Sequence, residues 1–226
     1  MGYQEHKIVI PGGKRGPSSL MVHYLINLLV GSGWAIFAYK NFQHALGLPE
    51  FNWQAFLYLS LFFRNSSITV LFLIRRPTRE SSKSIKEWLW ALLGTFLGFF
   101  YVPEKAYSLI PPDHHGIVFF VLIFAIGLSL LAVLSLGRSF GIVPANRGIQ
   151  TGGLYSIVRH PIYACYIFFD GIFLSIRFSG FNLSIFCASS LALYLRAIYE
   201  ERFLRQDAAY RQYAEKTRYM FFPGFI

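Results

Sequence analysis

Six apolar stretches, each close to the length of a membrane-spanning helix, constrain this chain more than any other feature. They lie near residues 20–39, 52–74, 88–103, 116–137, 161–177 and 181–199. A helix needs about 20 mostly apolar residues to cross a bilayer, and the mean hydropathy of the 226-residue chain is +0.44. The sequence therefore predicts an all-α, polytopic membrane protein with about six transmembrane helices.

The chain divides into three predicted parts. They are a polar N-terminal arm (1–19), a four-helix membrane section (20–137) and a C-terminal unit of loop, helical hairpin and charged tail (138–226). Pro161 suits the first position of the fifth helix because proline has no amide hydrogen to donate there. Only residues 178–180 separate the last two apolar stretches, which predicts a tight antiparallel hairpin. The spacing of apolar residues after Arg196 predicts a tail helix that leaves the membrane and lies amphipathically against the cytoplasmic face.

Basic residues predict the orientation, because short loops rich in Lys and Arg stay on the cytoplasmic side. The N-terminal arm and the loops after the second and fourth stretches are basic, whereas the alternate loops are poorer in Lys and Arg. Both termini are therefore expected in the cytoplasm, and the membrane is the inner membrane of a bacterium or the endoplasmic reticulum of a eukaryote. The net charge of +10 is shared among these segments, so we predict no nucleic-acid partner.

Three residues inside the apolar stretches have structural and functional interpretations. Cys165 and Cys187 lie in predicted helices, where we expect packing rather than a disulfide or a metal site. Arg64 lies near the middle of the second stretch, and a charge at that depth normally faces protein or water. It either points into a substrate cavity, forms a structural pair, or reaches the membrane surface along its own side chain.

Chemistry concentrates in the segment 152–163, which reads Gly-Gly-Leu-Tyr-Ser-Ile-Val-Arg-His-Pro-Ile-Tyr, and in the later pair Glu200 and Glu201. The two glycines permit a tight turn and close approach of the backbone to a ligand. The free amides of the following helix start can also hold a ligand. Because the cytoplasmic ends of a hairpin are close together, we expect either glutamate to reach the corner formed by His160 and Pro161.

A carboxylate at this corner suits a ligand that carries an ammonium and a sulfonium, as S-adenosylmethionine does. Methyl transfer from that cofactor depends mainly on alignment of the nucleophile and exclusion of water. Arg159 is suited to orient an anionic acceptor rather than to act as a base, because arginine stays protonated. Taken singly, however, each residue also has a structural interpretation: a positive anchor at a helix start, or a glutamate that pairs with a neighbouring arginine.

Over roughly residues 115–226, which include residues 136–141 before the segment 152–163 and Tyr210, Tyr213 and Pro223 after it, the ordered set of motifs resembles one superfamily of membrane enzymes. These are the isoprenylcysteine carboxyl methyltransferases and phospholipid methyltransferases, and the bacterial members are the most similar. The resemblance implies a cytoplasmic S-adenosylmethionine site and a lipidic acceptor, such as a prenylcysteine carboxylate, that enters sideways from the bilayer. The cofactor residues it implies are Gly153, Leu154, Tyr155, His160, Pro161, Tyr163, Glu200 and Glu201, with catalytic roles for Arg159 and Glu201.

Two other functions are compatible with the same residues. Membrane sterol reductases end in a similar Arg-His-Pro-x-Tyr segment and bind NADPH, although they are usually longer. This chain has no obvious extra basic cluster for the ribose phosphate of that dinucleotide, but Arg202 and Arg205 keep the alternative open. A non-catalytic membrane scaffold or transporter subunit is also compatible with Arg64. Cofactor binding discriminates among the three.

Overall fold

The computed structural model describes residues 17–50, 53–78, 82, 84–102 and 106–224. Seven α-helices occur within these residues: α1 (Pro17–Leu46), α2 (Trp53–Ile74), α3 (Ile85–Phe96), α4 (His115–Leu136), α5 (Pro161–Ile176), α6 (Gly180–Leu204) and α7 (Ala208–Lys216). The described residues contain no strand, only an isolated bridge between Tyr107 and Phe178. The chain is therefore all-α, as predicted. The predicted arm 1–19 lies outside the described residues, apart from the backbone of residues 17–19.

Four of the helical segments are long and apolar enough to cross a membrane. They are Leu20–Leu46, Ala55–Ile74, Pro112–Ser139 and Gly180–Leu204. The other two predicted spans are shorter helices: α5 has 16 residues, and α3 has 12 and continues as a 3-10 turn at Leu97–Phe100. The chain is an integral membrane protein, and each of the six predicted apolar stretches corresponds to a helix.

Small residues allow the helices to approach closely. α1 packs along α2, α3 along α6, and α4 along α5. A Cβ atom added to Gly94 of α3 would lie 3.3 Å from the Leu193 side chain and 3.4 Å from the Ala192 backbone of α6. Membrane helices use such small residues at their interfaces because dispersion contacts, rather than exclusion of water, drive their association. The packing leaves a central cavity with residues of α1, α2, α3, α5 and α6 in its wall.

The predicted hairpin is confirmed by α5 and α6. α5 begins at Pro161 in the first helical position, and α6 begins at Gly180. Asn182 is fully buried, and its amide nitrogen donates to the carbonyl oxygens of Val102 and Arg177 at 3.0 Å and 2.8 Å. These bonds tie the turn of the hairpin to the chain that follows α3.

The charged tail is helical but contains a break. α6 continues to Leu204, and α7 begins after Asp207, whose side chain accepts a hydrogen bond from the Ala209 amide at 2.9 Å. Asp is a favoured N-cap because its carboxylate satisfies an amide that lacks a partner within the helix. The tail predicted after Arg196 is thus divided into the end of α6 and a separate short helix.

Candidate functional site

The Arg-His-Pro segment, the end of α6 and the chain after α7 meet at one end of the bundle, which we call the motif end. The backbone amides of Arg159 and His160 donate to the carbonyl oxygens of Tyr219 and Met220, each at 2.9 Å. Oε1 of Glu201 lies 3.5 Å from Nε2 of His160. The contact predicted between the glutamate pair and the start of α5 is therefore present.

The glycine turn before α5 requires glycine at one position. Gly153 has φ of +59° and begins a short 3-10 turn, Gly153–Ser156. A Cβ atom at this position would collide with the Ser135 hydroxyl in the last turn of α4. Only a residue without a side chain adopts this conformation freely in this space. Gly153 thus sets the course of the chain toward α5.

A cluster of aromatic residues fixes α7 against this turn. Tyr155, Tyr210, Tyr213 and Ala214 are buried together, and the Tyr213 hydroxyl donates to the Tyr155 carbonyl oxygen at 2.7 Å. Burial raises the pKa of all three tyrosines above the ordinary value of a phenol, so their hydroxyls stay protonated at neutral pH. The buried Tyr210 hydroxyl has no hydrogen-bond partner within the described part of the chain.

Arg159, Glu201 and Arg205 form what we call the ion cluster. Nε of Arg159 donates to Oε1 of Glu201, and Nη1 donates to the carbonyl oxygens of Thr217 at 2.8 Å and Arg218 at 2.5 Å. Nη2 of Arg205 lies 3.0 Å from Oε2 of Glu201. The Arg159 and Glu201 side chains are only 6% and 7% exposed. Both charges are thus used largely to hold the tail and α6 at the start of α5.

His160, Tyr163, Arg196 and Glu200 form a second group, which we call the cavity face. The Tyr163 hydroxyl donates to Oε2 of Glu200 at 2.5 Å. The His160 and Tyr163 rings are stacked, with centroids 5.3 Å apart and an interplanar angle of 9°. The guanidinium carbon of Arg196 lies 4.8 Å from the Tyr163 ring centroid. A carboxylate, an imidazole and a guanidinium are therefore arranged around the phenol of Tyr163.

Arg196 connects this group to the rest of the bundle. Its guanidinium donates to Oγ1 of Thr95 on α3 at 3.0 Å and to the carbonyl oxygen of Gly141 at 3.1 Å. The side chain is buried, and Nε has no hydrogen-bond partner among the residues that the structure describes. The place of this residue could have been predicted, because Arg196 lies one helical turn before Glu200 and therefore on the same side of α6.

The central cavity has a volume of about 540 Å³, which lies within the range of small-molecule sites. It extends from the motif end, past Arg64 of α2, to His44 and Tyr58 near the opposite end of the bundle. The wall position of Arg64 agrees with the first of its three interpretations. Five of the residues predicted for the site line this cavity: Tyr155, Arg159, His160, Tyr163 and Glu200.

The other four predicted residues do not line the cavity. Gly153 forms the turn, Leu154 packs against the apolar core, and Pro161 begins α5. Glu201 points to the ion cluster. Most of the cavity wall was not predicted, and the polar residues that the predicted site lacked include Asp170, Arg196 and Tyr210. Asp170 could have been noticed, since a carboxylate inside an apolar stretch has the same significance as Arg64.

Two further features concern the chemistry available in the described ranges. No group of three or more His, Cys, Asp or Glu side chains in these ranges is arranged to hold a metal ion. Cys165 is buried and Cys187 is exposed, and both are free thiols. The resemblance to membrane methyltransferases stays a prediction that rests on the motifs. A search of protein-family models and of characterised proteins found no match to this sequence.

Proposed function

We propose that this chain is a membrane-embedded, S-adenosylmethionine-dependent methyltransferase that acts on a lipidic or amphiphilic acceptor, such as a prenylcysteine carboxylate. One observation carries the proposal. Residues of the motif segment and of the end of α6, which are distant in sequence, line the same end of a cavity of about 540 Å³. The proposed orientation has this end at the cytoplasmic side, as the distribution of basic residues predicts.

The residues of the motif end fit the polar groups of this cofactor. The carboxylate of Glu200 suits an ammonium or a ribose hydroxyl, since only Oε2 is engaged by the Tyr163 hydroxyl. The aromatic side chains of His160 and Tyr163 line the cavity and suit contact with an adenine. The Tyr210 hydroxyl and Nε of Arg196 are buried polar atoms without a partner in the described chain, and a buried polar group without a hydrogen bond is costly. A polar ligand would satisfy both.

When bound, S-adenosylmethionine supplies an electrophilic methyl group. The work left to the protein is to position the acceptor and to exclude water. A carboxylate acceptor needs no general base, because it is already ionised near neutral pH. Arg196 is placed to orient such an acceptor, since its Nε is unused and its guanidinium lines the cavity.

The predicted roles of Arg159 and Glu201 take a more specific form in this proposal. Arg159 lines the cavity, but its Nε and Nη1 donate to Glu201 and to two tail carbonyls. Glu201 accepts from both Arg159 and Arg205. We therefore propose that they act as positioning residues, which hold His160 and Glu200 in place at the cavity face.

The test is calorimetric titration of the full-length, detergent-purified protein with S-adenosylmethionine and with its demethylated product. We expect micromolar binding that weakens in His160→Ala and in Glu200→Gln. Glu215→Gln is the matched control, because it makes the same chemical change on an exposed part of α7.

The alternatives predict other outcomes of the same titration. Tight binding of NADPH without binding of S-adenosylmethionine would replace the proposal with the reductase. Absence of binding by either compound, in protein that remains folded, would favour the scaffold.

A further inference from the structure

Halfway along the cavity, two side chains of opposite charge form part of its wall. They are Arg64 of α2 and Asp170 of α5. Among the described residues, neither has an ion-pair partner within 4.0 Å. Nε of Arg64 is buried without a hydrogen-bond partner in these same residues, and the guanidinium carbon lies 5.2 Å from the Phe169 ring centroid and 5.7 Å from that of Tyr166. The hydrogen-bonding capacity of both charges is therefore left open.

The two charges lie at a similar depth, which is well inside the bundle. Asp170 is nine residues after Pro161, the start of α5, and Arg64 is ten residues before Ile74, the end of α2. At a rise of 1.5 Å per residue, each residue lies roughly 14–15 Å along its helix from that terminus. Charged residues at membrane depth are costly and are typically retained for a function.

A polar subsite at this depth is separate from the cavity face. Tyr163 and Asp170 lie on the same helix, and their separation of seven positions corresponds to about 10 Å. Neither Arg64 nor Asp170 contacts a residue of the cavity face through a hydrogen bond or ion pair in the described structure. The cavity thus has two polar regions, one at the motif end and one at mid-depth.

We infer that the mid-depth region is a subsite for an uncharged hydrogen-bonding group, a hydroxyl or a carboxamide, on the distal part of the acceptor. An anion there would be repelled by the carboxylate of Asp170, and a cation would be repelled by the guanidinium of Arg64. A purely apolar group would leave both charges without partners. A hydroxyl or carboxamide donates to the carboxylate and accepts from the guanidinium, so it satisfies both.

The acceptor is accordingly an amphiphile with polar groups at two positions, rather than a plain hydrocarbon tail with one reacting head. Its nucleophile occupies the motif end, and its second polar group lies about 10 Å deeper, as the rise of α5 indicates. The assignment of the reacting end rests on the proposed function. The subsite itself does not, because it can be detected by binding alone.

The experiment uses the full chain in detergent and two series of probes: ω-hydroxy fatty acids and the unsubstituted acids of matching chain length. Binding is measured by calorimetry. For the chain length that spans the two polar regions, we expect the ω-hydroxy acid to bind about tenfold or more tightly than its unsubstituted counterpart, since hydrogen bonds to charged groups are the strong ones. Equal binding at every length would overturn the inference.

Variants test whether the preference for the ω-hydroxy acid depends on Arg64 and Asp170. Arg64→Met and Asp170→Asn should each reduce the preference for the ω-hydroxy acid, whereas Lys40→Met, which removes a charge at the cavity wall nearer the opposite end, should retain it. Because a lone buried charge can prevent folding, the double variant Arg64→Met/Asp170→Leu is included. A folded double variant that keeps the preference would also overturn the inference.

Titration of the wild-type protein with S-adenosylmethionine separates the two proposals. Cofactor binding without an ω-hydroxy preference would retain the methyltransferase and remove the subsite. An ω-hydroxy preference without cofactor binding would retain the subsite and remove the methyltransferase. Loss of stability in the double variant, with the preference unchanged in both single variants, would make the charges a purely structural pair.

Discussion

The last turns of α6 have two polar faces, and these faces make different contacts. Arg196 and Glu200 are four residues apart and lie at the cavity, whereas Glu201 and Arg205 are also four apart and belong to the ion cluster. Consecutive helical residues project about 100° apart, so adjacent glutamates point in different directions. One glutamate faces the space available to a ligand, and its neighbour holds the surrounding chain together.

The hydrogen bonds of the two glutamates differ in the same way. Glu201 is engaged through both oxygens by two arginines, whereas Glu200 accepts from one phenol, Tyr163. A fully satisfied buried charge stabilises a structure only while its partners remain. A partly satisfied carboxylate at a cavity wall retains capacity for a ligand. We therefore expect substitutions at the two positions to affect different measurements.

The largest expected effect is that of Glu201→Ala on stability. Removal of this carboxylate leaves the buried Arg159 guanidinium without its anionic partner, and breaking a buried pair in this way costs about 3–5 kcal/mol. The measurement is the free energy of unfolding in detergent. A double variant, Arg159→Met/Glu201→Leu, should be less destabilised than the sum of the two single changes. Strict additivity would contradict the ion cluster as a coupled unit.

The next effect is that of Gly153→Ala. Alanine at this position must adopt φ of +59° and must also displace the Ser135 hydroxyl, which together should cost roughly 1–3 kcal/mol. Gly152→Ala is the matched control, because nothing lies within 4 Å of a Cβ atom there and its φ is −97°. Similar melting temperatures for the two variants would show that the turn does not constrain α5.

Glu200→Gln should change ligand affinity more than stability. The amide retains a hydrogen-bond acceptor for Tyr163 but removes the charge, so we expect about a tenfold loss of affinity for S-adenosylmethionine, equivalent to about 1.4 kcal/mol. Calorimetry reports the affinity, and thermal unfolding reports the stability. The opposite pattern, with unchanged affinity and strong destabilisation, would remove the distinction between Glu200 and Glu201.

Much of the fold could be predicted from the sequence, because a membrane helix appears there as an apolar stretch long enough to cross the bilayer. Pro161 marked the start of α5, and the short link at residues 178–180 marked the hairpin. The meeting of Glu201 with His160 followed from the hairpin geometry. These features depend on local composition and on distance along the chain, both of which are visible in a sequence.

It could not be predicted in the same way which site residues face the cavity and which hold the surrounding chain together. Which of Glu200 and Glu201 faces the cavity depends on the rotation of α6, which its packing against α3 determines. The amides of Arg159 and His160 pair with carbonyls of the tail, and such backbone hydrogen bonds leave no side-chain pattern in the sequence. The hydrogen bond from Arg196 to Thr95 joins two different helices, so the spacing along α6 does not predict it.

The smallest effects on stability are expected for two tyrosines of the cluster that supports α7, and the two should differ from each other. Tyr213→Phe removes a hydrogen bond to the Tyr155 carbonyl and should cost about 1 kcal/mol of unfolding free energy, because the buried acceptor loses its partner. Tyr210→Phe removes a hydroxyl that has no partner in the described chain, so it should leave stability nearly unchanged or slightly raised.

For ligand affinity we expect the opposite order: Tyr210→Phe should lose more affinity than Tyr213→Phe, although it loses less stability. The Tyr210 side chain lines the cavity and its hydroxyl is unused by the protein, so Tyr210→Phe should weaken binding of S-adenosylmethionine. Tyr213 also lines the cavity, but its hydroxyl is engaged with Tyr155, so Tyr213→Phe should affect binding less. If calorimetry gave equal affinities for the two variants, the Tyr210 hydroxyl would not contact the ligand. The polar contacts of the ligand at the motif end would then come from the cavity face without Tyr210.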